Sequence, residues 1–150
     1  MTHCLYFHLH MAGGVWGQRW ENADSEIARK YMETAAKKKS LVCLAADKNT
    51  MAELVELVHS VGPYIAALKT HVDLVEDWTA EAWSDFCDLA NDSGLMIFED
   101  RKFADIGKIT RKQMGGIYDI RSWSDLVRGY HVFPLLQRNP RNIANRQVIM

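Results

Sequence analysis

LVCLAADKNTMAELVELVHSVGPYIAALK, residues 41–69, is the stretch that decides the fold class. LVCLAAD (41–47) is a continuous apolar run closed by an acid, the pattern of a strand covered on both faces. Thr50 followed by Glu53 forms a capping box, and Met51, Leu54, Val55 and Val58 recur at helical spacing behind it. Gly62-Pro63 stops that helix, and YIAALK (64–69) is a second short apolar run ending in a charge. Strand, helix, strand in so short a span is a parallel βα unit.

The pattern continues in both directions. Upstream, Asp24 caps DSEIARKYMETAAKKK, which sets Ile27, Ala28, Tyr31 and Ala35 on one helical face and ends in lysines that suit a helix C-terminus. Downstream of THVDLVEDW, the segment 79–93 carries Trp83, Phe86, Leu89 and Ala90 at helical spacing and closes at Gly94. LMIF (95–98) is the third strand, residues 105–113 suit a helix before Gly115-Gly116, and DLVRGYHVF (125–133) is a weaker fourth strand. Serial βα units with apolar strands predict an α/β protein with a parallel sheet covered by helices, either a barrel or a doubly wound sheet. Residues 1–23 are expected to be an irregular arm, 24–133 the βα series, and 134–150 a tail with no further βα unit.

Composition narrows the class. At 150 residues, 48% hydrophobic and 25% charged, the chain is expected to build one core. A net charge of −1 with dispersed signs offers no field for nucleic acid or an anionic membrane, and the N-terminus shows neither a basic leader nor a sustained apolar span. Three cysteines, Cys4, Cys43 and Cys87, form no CxxC pair, so a reducing, cytoplasmic setting is expected. His8 and His10 have no ligand cluster around them beyond Cys4, and no metal is assigned to them. No GxGxxG or Walker A motif follows a strand, which leaves a dinucleotide or P-loop site unsupported.

Candidate chemistry lies at the strand ends. Asp47 follows the first strand, Lys69 and His71 the second, and Asp100 and Lys102 the third. In parallel βα folds those ends meet on one face, where such residues converge. Asp100 and Lys102 point the same way if the strand stays extended, while Arg101 and Phe103 point elsewhere; Asp105 falls near a helix N-terminus. A Lys–Asp–Lys–Asp set keeps its lysines charged, and it can deliver a proton and stabilise developing negative charge without a metal.

Three motifs, LAAD (44–47), GPYIAALKTHVD (62–73) and LMIFEDRKFADIG (95–107), stand in the order and spacing of one family. On them the chain resembles the orotidine 5'-phosphate decarboxylases, including the decarboxylase domain of bifunctional UMP synthase. The resemblance implies a (β/α)8 TIM barrel, present here as a half barrel of about four parallel strands. It implies a homodimer and cofactor-free conversion of orotidine 5'-monophosphate to UMP and carbon dioxide. It also implies roles: Asp47 binding the ribose, Lys69 contacting ribose and ordering the charges, Asp100 facing the substrate carboxylate, and Lys102 protonating C6. Asp105 would reach the partner's site, His71 would lie near the ribose or phosphate edge, and Ile106 would touch substrate.

Two departures from the family pattern stand out. DIGKIT replaces the usual DIGNT, so Ile109 occupies the threonine's place and Thr110 comes one step late. After HVFP the family's later strands, with their pyrimidine-binding serine and phosphate-gripping groups, have no counterpart, and the chain alone is expected to be inactive or impaired. Two alternatives accompany the decarboxylase. One is a non-catalytic fragment pairing with another barrel chain. The other is a metal-dependent sugar-phosphate lyase of the same superfamily, in which Asp100 and Glu99 would hold Mg2+, although neighbouring strand residues face opposite ways.

Overall fold

The apolar runs become strands and the periodic stretches become helices, alternating along the chain. A computed structural model describes residues 25–129 and 147–149. In order these are α1 (Glu26–Lys38), β1 (Cys43–Ala45), α2 (Met51–Val61), β2 (Ala67–Thr70), α3 (Ala80–Asp92), β3 (Met96–Phe103), α4 (Gly107–Met114), α5 (Ile120–Trp123), β4 (Leu126–Gly129) and β5 (Gln147–Ile149), with 3-10 turns at Gly62–Tyr64 and Val72–Leu74. The strands run β1-β2-β3-β4-β5, each parallel to the next. Cys4, His8, His10 and His131 lie outside the described residues. Within the tail, where no further βα unit is expected, β5 adds a short strand beside β4.

Local signals set most boundaries. Thr50 accepts from the Glu53 backbone while Glu53 accepts from the Thr50 backbone, the reciprocal box that starts α2. Thr79 caps α3 through the Ala82 amide, and Gly94 closes the turn behind it at φ 65°, a left-handed conformation that suits glycine. The cap of α1 is Ser25 rather than Asp24: its hydroxyl accepts from the Ala28 amide at 3.3 Å. Lys38 donates to the carbonyls of Gly62 and Ser93, both at 2.6 Å, and so ties the C-terminal ends of α2 and α3 together.

Alternation along the strands divides the sheet into two faces. Leu68, Thr70, Ile97 and Glu99 point toward α2 and α3, where Leu54, Val58, Phe86 and Ala90 complete the main core. Each such side chain, fully buried, contributes about 1.5–3 kcal/mol. The opposite face carries Ala67, Lys69, Met96, Phe98 and Asp100. Ile27 of α1 packs there on Ala67 and Met96, with Tyr31 and Leu126 against them. That face is covered at one end by α1, and the charged residues lie toward the strands' C-terminal ends. Between Glu99 and Lys102, β3 shifts register against β4, pairing Glu99 with Val127 and Lys102 with Arg128. Beyond this shift Phe103 is buried in the same core as Ile97, so β3 resumes its helix-facing side at its end.

Candidate active site

Parallel register brings the ends of β1, β2 and β3 level, with Ala45 beside Lys69 and Thr70 beside Glu99. Asp100, only 13% exposed at its side chain, becomes the hub of the cluster that results. Lys69 donates to Asp100 Oδ2 at 3.3 Å and lies 3.6 Å from Asp47 Oδ1. His71 Nε2 is 3.1 Å from the Lys69 ammonium and 3.7 Å from Asp100 Oδ2. Arg128 of β4 donates to Asp100 Oδ1 at 3.3 Å. Two carboxylates, an amine, a guanidine group and an imidazole thus share one face of the sheet.

Lys102, Asp105 and Ile106 are exposed, and neither Lys102 nor Asp105 forms an ion pair with this cluster among the described residues. Asp105 is exposed, its Oδ1 accepting from the Ile106 amide at 2.7 Å, and Ile106 is 70% exposed at the start of α4. Thr110, late by one position, is buried and donates to the Asp105 carbonyl at 3.0 Å, so it reaches the Asp105 backbone rather than its carboxylate. Arg128 was missed by sequence reasoning, although its place in the fourth strand is the same signal that singled out Lys69. Arg101 lies over the Tyr118 ring at 5.9 Å, away from the cluster.

Glu99, beside Asp100 in the chain, faces the opposite way. It is fully buried and accepts from the Thr70 hydroxyl at 2.9 Å and from the Val72 amide at 3.2 Å. Its carboxyl is raised from the ordinary 4.5 to about 7, chiefly by burial and to a lesser extent by Asp73, against the opposing bonds from Thr70 and Val72 and the Arg101 charge. Glu99 and Asp100 therefore do not form a shared metal site. His71, Asp73 and Glu99 bring one ligand atom each within 4.8 Å of one another, but the Glu99 oxygens are already engaged by Thr70 and Val72. A separate cleft of about 550 Å3, lined by Trp78, Trp83, Trp123 and Tyr118, contains none of the strand-end residues.

Parallel strands with helices packed behind them, and ionisable groups gathered at the strands' C-terminal ends, are the arrangement of α/β-barrel proteins. The chain belongs to the Orotidine 5'-phosphate decarboxylase / HUMPS family, which it matches over residues 40–132. It is 45% identical over 113 residues to a protein of Solorina crocea named orotidine 5'-phosphate decarboxylase, covering 75% of this chain and 40% of that one. Proteins of the same name from Candida albicans and Maudiozyma exigua are 37% and 40% identical, over 79% and 81% of this chain and 44% and 46% of theirs. The chain thus spans somewhat less than half the length of these relatives.

Proposed function

We propose that this chain carries the charged half of an orotidine 5'-phosphate decarboxylase site, which turns orotidine 5'-monophosphate into UMP and carbon dioxide without a cofactor. The observation that carries the reading is the Lys69–Asp100 contact at 3.3 Å, flanked by Asp47 and His71 at the ends of adjacent parallel strands. In this reading Asp47 and Lys69 hold the ribose and Asp100 faces the scissile carboxylate. Lys102 supplies the proton to C6, and His71 and Ile106 border the substrate. Preorganised cations beside the developing C6 carbanion stabilise the transition state more than the ground state, which is what accelerates the step. Asp105, exposed on the loop before α4, is available to a partner's site in a homodimer. In this reading the setting is cytoplasmic and the partner is the small substrate rather than nucleic acid or membrane. Among the described residues no helix is long and apolar enough to cross a membrane.

Binding energy from a remote phosphate is used to drive chemistry at the base. The family's phosphate grip belongs to later segments of the barrel, so residues 1–150 alone are expected to turn over slowly or not at all. The test follows orotidylate absorbance, with and without Mg2+, for residues 1–150 alone and joined to the remaining length of the Solorina crocea relative. Metal-free turnover by the joined protein supports the reading, and its absence, in a folded product, counts against it. A second reading, a non-catalytic chain that pairs with another barrel half, is favoured by the exposure of β1 and of Leu41 and Val42 ahead of it. The metal-dependent lyase loses its support at Glu99, which turns away from Asp100.

A further inference from the structure

We infer that Glu99 is a positioning residue: its buried carboxyl group holds the Thr70–Val72 bend in the conformation that brings Lys69 and His71 to Asp100. The inference rests on the reading of those three residues as part of the site. β2 ends at Thr70, and the chain turns at His71 (φ −129°, ψ 89°) into the 3-10 turn Val72–Leu74. The amide at the start of such a turn has no partner within it, and Val72 is fully buried, so this donor needs an acceptor from elsewhere. Glu99, the register partner of Thr70, supplies one. The same oxygen, Oε2, accepts from the Thr70 hydroxyl and the Val72 amide, bracketing His71 from both sides. The Glu99 amide in turn donates to Ser124 Oγ at 3.3 Å, ahead of β4. One residue therefore joins the bend carrying His71 to the strand carrying Asp100.

A residue that only filled space here would be better apolar, because burying a carboxyl group costs several kcal/mol unless its oxygens are satisfied. The raised carboxyl pKa is a sign of that cost. What the carboxyl does in return is satisfy two donors in the bend that would otherwise be buried without acceptors. Three ionisable groups face it: His71 and Asp73 from the bend, and Arg101 from its own strand. None of them replaces it as acceptor for the Thr70 hydroxyl or the Val72 amide.

The experiment is NMR on residues 1–150, following Val72 amide exchange and the His71 ring signals in Glu99→Met, Glu99→Gln and Thr70→Val. Glu99→Met keeps the volume and removes both acceptors; Val72 exchange should rise about tenfold or more and the His71 ring signals should move. Glu99→Gln, whose carbonyl oxygen can occupy the Oε2 place, should restore both. Thr70→Val removes one donor and should shift His71 in the same direction by less. Native Val72 exchange and His71 signals in Glu99→Met, or in Thr70→Val if the former does not fold, would overturn the inference. These readouts need no turnover, so they stand or fall separately from the decarboxylation assay.

Discussion

At Glu99 the folded carboxyl keeps its proton up to about pH 7, whereas an unfolded chain releases it near 4.5. Between those values the native state binds more protons than the unfolded one, so stability falls as pH rises through that window and levels off above it. The full difference is about 3 kcal/mol. Glu99→Gln removes the titration: urea melts should find the variant gaining on wild type from pH 5 to pH 8, and a constant gap would contradict the assignment. Much of the charged cluster was legible in the sequence because strand-end position alone selects Asp47, Lys69, His71 and Asp100. Burial of Glu99 was not, since a carboxylate ordinarily prefers water, and only the Thr70 hydroxyl and Val72 amide, met in the folded state, make the position tolerable. The bond from Arg128 to Asp100 likewise depends on β3–β4 pairing across a bulge, which no spacing encodes.

Among the elements, helix ends carry the most specific energetics. Lys38 closes two helix termini with one ammonium, and its pKa is lowered by burial. Replacing it by Met should cost about 1–3 kcal/mol in a denaturation series, because two helix-end carbonyls lose their donor. Lys39, next in sequence, takes the left-handed position at φ 52° that ends α1. Lys39→Gly relieves that strain and should stabilise the chain by up to about 1 kcal/mol. The α2 capping box, the Gly62-Pro63 stop and the α3 boundaries could be read directly, since each depends on residues a few positions apart. β3 extends through Phe103, well past the apolar run LMIF, because strand pairing and burial of Phe103 override the polarity of residues 99–102. α5 and β5 are too short for periodicity to register.

For the whole molecule, a parallel sheet whose edge strand β1 leaves Cys43 and Ala45 exposed, with Leu41 and Val42 about half exposed ahead of it, invites further pairing. Residues 1–150 are expected to associate with rising concentration in sedimentation experiments, and Val42→Lys should reduce the effect; a monomer at every concentration would count against the open edge. Fold class was accessible from the sequence because alternating βα units allow few architectures. Which strands lie at an edge depends on the rest of the assembly. In the proposed reading the strand-end charges form a metal-free decarboxylase site with Lys102 as proton donor. Its most direct test compares orotidine 5'-monophosphate decarboxylation by the chain joined to its relative's remaining segment with that of the Lys102→Ala form, in the presence of a metal chelator. Turnover is expected in the first and a loss of about 10² to 10⁴-fold in the second. Equal rates, or turnover that appears only when Mg2+ is restored, would contradict it.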